Sequence, residues 1–395
     1  GLGYLTLDRQ SRTLSGGEVQ RINLTTALGT SLVNTLFVLD EPSIGLHPRD
    51  IDRVVAILER LRDQGNSLLV VEHDPQVMRA ADRIIDIGPG PGERGGELVF
   101  QGTPAELLSC DGSLTGAYLA GRRRIEAPRE PCPPTDDTPM LRIRAAREHN
   151  LKGIDVDIPL QRLVVVTGVS GSGKSTLVQE VLFNHLAKAK GHPEGTPGGC
   201  DAVRGAELIS DVLMLDQSPI GRTSRSNPAS YVGALDPIRK LFAATPLARE
   251  RDYKAGHFSF NSGAGRCPTC AGSGFEHVEM QFLSDVYLRC PDCQGRRYKA
   301  ALLEVRLTEV PGPEGSGANI ADVLNMTVAQ ALDAFAEQTE VRRALTPLAD
   351  VGLDYLRLGQ PVPTLSGGEA QRLKPVSYTH LRAHETLTPI SDAVF

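Results

Sequence analysis

The chain has 395 residues, enough for two or three domains with cores of their own. Its formal charge of −6 excludes a globally basic nucleic-acid binder, so any such surface has to be a local patch. No apolar run approaches the ~20 residues of a membrane helix and no charged-then-apolar leader opens the chain, which points to a cytoplasmic protein with no membrane partner. Forty Gly and 27 Pro against no Trp suit a loop-rich α/β protein. Gly1 enters in the middle of a motif, so the sequence reads as a fragment.

Gly1–Leu24 and Gly352–Lys374 are copies of one another. They share Gly-Leu-x-Tyr-Leu-x-Leu and then Thr-Leu-Ser-Gly-Gly-Glu-x-Gln-Arg. A repeat this far apart points to duplication of a whole domain. In each copy Ser and Gly-Gly open a helix and offer a hydroxyl and backbone N–H groups to an anion. The residues are Ser15, Gly16, Gly17 and Glu18 in the first copy, and Ser366, Gly367, Gly368 and Glu369 in the second.

Thr35–Asp40 reads as a short apolar strand ending in Asp40-Glu41. An acidic pair at a strand's C-terminal end is placed to hold Mg²⁺ through water (Asp40) and to polarise an attacking water (Glu41). Ile51–Gln64 reads as an amphipathic helix, followed by the strand Ser67–Val71 and then Glu72-His73-Asp74. A lone His at a strand end is more often structural. His73, one strand beyond the acidic pair, stands where a γ-phosphate sensor belongs. Gly88–Gly96 reads as a loop, and Arg122–Arg124 with the Pro-rich run Pro128–Pro139 as an interdomain linker.

Leu163–Thr167 is a β-branched apolar run that ends on G-x-x-x-x-G-K-S: Gly168, Val169, Ser170, Gly171, Ser172, Gly173, Lys174 and Ser175, with Thr176 following. A strand, a glycine loop and a helix start aim consecutive N–H groups at a phosphate chain. Lys174 would reach the β- and γ-phosphates and the Ser175 hydroxyl would bind Mg²⁺, so the cofactors are ATP and Mg²⁺. Asp211–Asp216 reads as another strand, with Gln217 at its end. Gly221–Lys254 carries seven basic against three acidic residues, a patch able to touch phosphates without sequence preference.

Cys267-Pro-Thr-Cys270 and Cys290-Pro-Asp-Cys293 are separated by nineteen residues, the spacing of a four-thiolate Zn²⁺ site built from two knuckles. Glu314–Asn319 reads as a short flexible loop and Ile320–Ala336 as a helix start and helix leading to the second Leu-Ser-Gly-Gly-Glu. Pro375 breaks the helix that follows, and 376–395 has no periodicity and reads as a foreign tail.

Together these motifs resemble the ABC-type ATPases. With zinc knuckles between P-loop and signature, and with Asp216-Gln-Ser-Pro-Ile-Gly-Arg-Thr-Ser-Arg-Ser-Asn-Pro, Phe258-Ser-Phe-Asn-Ser-Gly-Ala-Gly-Arg-Cys and Leu39-Asp-Glu-Pro-Ser-Ile-Gly-Leu-His, the chain resembles the UvrA family of the bacterial excinuclease. The resemblance implies an α/β fold of two tandem ABC-type modules, both incomplete, with an inserted four-cysteine zinc ribbon. It implies 1–120 as the end of the first module, 121–139 as linker, 140–374 as the second module with its insert at about 221–300, and 375–395 outside the family pattern. It further implies a homodimeric sensor of damaged double-stranded DNA that loads UvrB, with Gln217 as the lid glutamine. In this superfamily a nucleotide lies between one module's P-loop and the other's signature. Neither composite site is complete in this chain, so the expectation is ATP binding with very slow hydrolysis.

Overall fold

The computed structural model describes residues 22, 32–125, 132–215, 226–261, 263–278 and 286–383. The chain divides into two compact bodies, one of residues 1–90 and 94–214 and the other of 91–93 and 215–395. Among the described residues the strands pair in five small separate sheets.

In the first body β1 (Leu36–Asp40) and β2 (Ser67–Val71) run parallel, with Asp40 opposite Val71. A parallel pair needs a crossover, here the helix Pro48–Asp63. His47 Nδ1 accepts from the Arg49 N–H at its start, and Pro48 fits a first turn that has no use for its missing N–H. Ile51, Val54 and Leu58, at helical spacing, pack with Val77 over Leu39 and Leu68. Burying each such side chain stabilises by about 1.5–3 kcal/mol. β3 (Ile84–Gly88) and β4 (Glu97–Gly102) form an antiparallel hairpin, so the Gly/Pro-rich stretch between them is its connection. β5 (Met140–Ala146) is flanked by β6 (Ile154–Pro159) and β7 (Ala202–Arg204). Ile143 and Ala146 of β5 pack on Leu177 and Val181, which seats the helix after the glycine loop against this sheet.

Two expected strands are not formed. Leu163–Thr167 joins no ladder, and Leu163 and Val165 are 94% and 71% exposed. Asp211–Leu215 is likewise unpaired into any strand. β-branched residues favour an extended backbone, but a strand exists only through its partner's hydrogen bonds. The helix after the loop starts where expected, but Thr176–Phe183 is wound with i→i+5 bonds, as in Asn184 N–H to the Gln179 carbonyl, before Asn184–Ala189 continues as α-helix.

In the second body the antiparallel pair β8 (Phe275–Val278) and β9 (Val286–Arg289) joins the two cysteine knuckles. The core brings together Phe242, Phe258, Phe260, Tyr298, Leu302 and Leu345. Phe242 and Phe258 stack at 5.4 Å between ring centroids. The buried Tyr298 hydroxyl donates to the Phe258 carbonyl at 2.9 Å, which satisfies it; burial holds its pKa far above the usual phenol value.

Three expectations are corrected here. Ile320–Ala336 is two helices, Ile320–Asn325 and Val328–Ala334. Asn319 caps the first, Met326 is extended, and Thr327 with Gln330 forms the capping box of the second. The stretch 314–319 contains β11 (Gly317–Ala318), paired with β10 (Leu307–Pro311). Pro375 does not end its helix, which runs Gly367–Ala383; the buried Leu373 and Val376 on either side hold that turn against the core. Residues 384–395 lie outside the described residues.

Phe242 is fully buried. Phe242→Ala is expected to lower unfolding free energy by about 3–5 kcal/mol in urea titrations followed by circular dichroism.

Candidate nucleotide and zinc sites

The glycine loop is a closed turn built around its own lysine. Lys174 Nζ donates to the carbonyls of Gly168 (2.7 Å) and Val169 (2.9 Å), and the Ser172 N–H donates to Val169 O at 3.2 Å. Gly168 and Gly173 take φ of 147° and 99°, which glycine adopts at little cost. A Cβ on Gly168 would stand 2.8 Å from Ser172 Oγ, and one on Gly173 2.9 Å from Asn150 Oδ1. Asn150 also donates from Nδ2 to the Gly171 carbonyl at 2.9 Å, bracing the loop from the β5–β6 turn. Ser170 lies in the turn of this loop; the exposed Ser175 makes no capping bond, and Thr176 opens the helix. Beside the loop Glu148, His149 and Glu180 cluster, with His149 Nε2 2.8 Å from Glu180 and Glu148 accepting from the Gly199 N–H at 2.6 Å.

At the end of β1 the Glu41 N–H donates to Val71 O at 2.9 Å, which carries the β1–β2 ladder one residue past Asp40. Glu41 has a left-handed φ of 43°. His73 Nε2 stands 3.6 Å from Glu41 Oε1, so the structure brings these two sequence candidates together. Glu72 ties the turn. Its carboxylate accepts from the N–H groups of Ser43 (2.8 Å), His73 (2.8 Å) and Asp74 (3.0 Å). Partial burial pushes its pKa up, but the bonds from Ser43, Asp74 and His73 outweigh that and hold it below the usual carboxylate range. Gln217 and the first signature, Ser15, Gly16, Gly17 and Glu18, lie outside the described residues.

The second signature opens the helix Gly367–Ala383. The Ser366 N–H donates to Glu369 Oε2 at 2.7 Å and the Glu369 N–H to Ser366 Oγ at 3.3 Å, a reciprocal cap. Tyr355 OH donates to Glu369 Oε1 at 2.8 Å, while Arg372 donates to Tyr355 OH at 3.2 Å and to the Gly352 carbonyl at 2.9 Å. Burial, then the bond to Glu369, raises the Tyr355 pKa. Gly352, Tyr355, Glu369 and Arg372 recur in the sequence as Gly1, Tyr4, Glu18 and Arg21, which lie outside the described residues. The motif pattern does not single out Asn150 or Glu72, which stand in no repeat. Tyr355 and Arg372 do carry a signal, because both recur.

Cys267, Cys270, Cys290 and Cys293 are buried, and their sulfurs lie within 4.8 Å of one another. Cys267 Sγ is 3.9 Å from Cys290 Sγ, and Cys270 Sγ is 3.6 Å from Cys293 Sγ. These separations are far beyond a disulfide bond, and match the ~3.8 Å edge of a tetrahedron with Zn–S of about 2.3 Å. Burial pushes the Cys293 thiol up to about 12, so its thiolate form calls for a nearby cation. The donor set fits Zn²⁺.

UvrABC system protein A of Thermus thermophilus is 54% identical over 374 residues, 95% of this chain and 38% of that protein. The Staphylococcus aureus protein of the same name is 52% identical over 383 residues, 97% of this chain and 39% of its own length. The crystal structure of UvrA2 from Deinococcus radiodurans superposes with a TM-score of 0.85 at 49% identity, covering 96% of this chain and 44% of that one. Its relatives are the UvrA proteins. The chain spans about two-fifths of the length of the curated UvrA relatives it matches. No family model matches it. The UvrA likeness and the mixed α/β fold agree with the sequence expectation, and no described helix is long and apolar enough to cross a membrane.

Cys293→Ser is expected to reduce bound zinc from one ion per chain to a small fraction of that, read by atomic absorption after gel filtration. The lowered Glu72 pKa means that its ionised form stabilises the loops after β1 and β2 above the ordinary carboxylate range. That contribution is lost as pH falls through its folded-state value. Glu72→Gln is therefore expected to lower the thermal midpoint at about pH 7, with the gap to wild type closing toward about pH 3.

Proposed function

We propose that this chain is the ATP-binding, DNA-engaging part of the damage-recognition component of nucleotide excision repair. The observation that carries this reading is the 0.85 TM-score match to UvrA2 over 96% of the chain. Residues 1–120 act as the end of one ABC-type module and 140–374 as a second, joined by 121–139. Gly168–Ser175 holds the phosphates of ATP. Lys174 leaves the carbonyls of Gly168 and Val169 for the β- and γ-phosphates, and the Ser175 hydroxyl takes Mg²⁺. That exchange of lysine partners is the physical basis for coupling nucleotide to loop conformation.

Asp40 and Glu41 serve as metal holder and water-polarising base. His73, within reach of Glu41, acts as sensor of the γ-phosphate. The helix that opens at Gly367 presents its N-terminus to nucleotide, and the first copy of the motif, Ser15–Glu18, takes the same role. Gln217 links nucleotide state to the zinc-bearing insert, which engages the damaged duplex. The working assembly is a homodimer that loads UvrB in the cytoplasm.

The test is duplex binding with and without ATP for wild type and Lys174→Ala, followed by fluorescence anisotropy. Wild type is expected to change its affinity for lesion-bearing DNA on ATP addition, by about tenfold for a coupling of ~1.4 kcal/mol. Lys174→Ala is expected to bind DNA with no response to ATP. An ATP response retained in Lys174→Ala would contradict the phosphate-site assignment. Zinc-dependent DNA binding that ignores ATP in wild type would favour a binding module without nucleotide control.

A further inference from the structure

In the first body, beside the glycine loop, three side chains from two segments converge. Glu148 and His149 come from the β5–β6 turn, and Glu180 from the helix that follows the loop. One donor atom from each lies within 4.8 Å of the other two, the same separation that encloses the four cysteine sulfurs. His149 Nε2 stands 2.8 Å from Glu180 Oε2, and His149 Nδ1 3.9 Å from Glu148 Oε1, so the ring has a carboxylate beside each nitrogen.

An ion pair between His149 and Glu180 accounts for one carboxylate and leaves the other unexplained. Glu148 is seated. Its Oε2 accepts from the Gly199 N–H at 2.6 Å, which leaves Oε1 for the ring. A Cβ on Gly198 would stand 3.0 Å from Glu148 Cγ, so a side chain there would push Glu148 from its place. The Gly198 N–H in turn donates to the Glu180 backbone carbonyl at 2.9 Å. One dipeptide, Gly198-Gly199, therefore holds both acidic residues beside the imidazole. Ligands oriented by further bonds of this kind are what a metal centre needs.

Charge points the same way. Arg147, the adjacent basic residue, is bonded to Asp201. A protonated ring would offset one of the two carboxylates, whereas a divalent cation offsets both. The donor set then selects the cation. Mg²⁺ and Ca²⁺ take oxygen throughout, while an imidazole nitrogen favours Co²⁺, Ni²⁺ or Zn²⁺. Bonds of about 2.1 Å put such donors about 3.0–3.4 Å apart, so closing on an ion asks the side chains to move by about 1 Å. Side-chain exposures of 31% for Glu148, 60% for His149 and 39% for Glu180 permit that movement and leave coordination positions open to water.

We propose that Glu148, His149 and Glu180 form a second metal site, for a first-row divalent cation, apart from the four cysteines and from the Mg²⁺ proposed at Ser175. An ion held there ties the turn that carries Asn150, the brace of the glycine loop, to the helix that leaves the loop. The site needs no nucleotide and does not rest on the damage-recognition reading.

The test is calorimetric titration of Co²⁺ into the nucleotide-free chain with zinc already on its cysteines. Wild type is expected to take up one Co²⁺ per chain, without the thiolate charge-transfer absorption that cobalt on the cysteines would give. Equimolar Mg²⁺ is expected not to displace it. His149→Ala and Glu180→Gln are each expected to weaken that binding at least tenfold while keeping the zinc content of wild type. Saturating Co²⁺ is expected to raise the thermal midpoint of wild type and of neither variant. No cobalt uptake outside the cysteines, unchanged affinity in either variant, or displacement by equimolar Mg²⁺ would overturn the proposal. If one variant fails to fold, the other decides, because the two residues lie on separate segments.

Discussion

Four buried thiols within reach of one cation form the constraint on which the second body is arranged. The ribbon they hold has two strands of four residues each, too small to bury a core of its own. The ligand geometry replaces that core. The Gly274 N–H reaches Cys270 Sγ at 3.3 Å and the Cys290 N–H reaches Gly274 O at 3.1 Å, so the backbone of the ribbon is also tied to its ligands. From Cys293 the chain turns at Gly295 and delivers Arg297 and Tyr298 into the main core. A cation held by the four thiols would set where the ribbon joins the body.

The two motifs proposed to face phosphate are held in different ways. At Ser366–Glu369 the helix start is locked by a reciprocal cap, and Tyr355 and Arg372 lock the cap in turn. At Gly168–Ser175 the loop is held by its own lysine and by Asn150. The lysine bonds are replaceable by phosphate oxygens, whereas the Asn150 bond can persist through that exchange. The helix start is thus held by side-chain caps, and the loop by lysine bonds that a nucleotide, as proposed, would have to displace.

The cysteine pairs, the glycine loop and the signature helix were legible in the sequence because their spacing is set by local geometry. The repeat was legible as a repeat, and the structure gives its physical content: Leu353, Leu356 and Leu358 are buried, while Tyr355, Glu369 and Arg372 bond to one another. The break at Met326 was written in Thr327–Gln330, a capping pair that the apolar periodicity of Ile320–Ala336 obscured. Leu163–Thr167 misled because apolar, β-branched composition reports propensity while pairing depends on distant residues. Pro375 misled because the packing of Leu373 and Val376 outweighs a lost helical bond. Asn150, Glu72 and Arg297 could not be found by spacing, since each acts on a residue far from it in the chain or on a turn whose shape is set by tertiary contacts.

X-ray absorption at the zinc edge of the purified chain tests the central constraint most directly. The account predicts four sulfur scatterers at about 2.3 Å and no nitrogen or oxygen in the first shell. A shell containing nitrogen or oxygen donors, or fewer than four sulfurs, would contradict it.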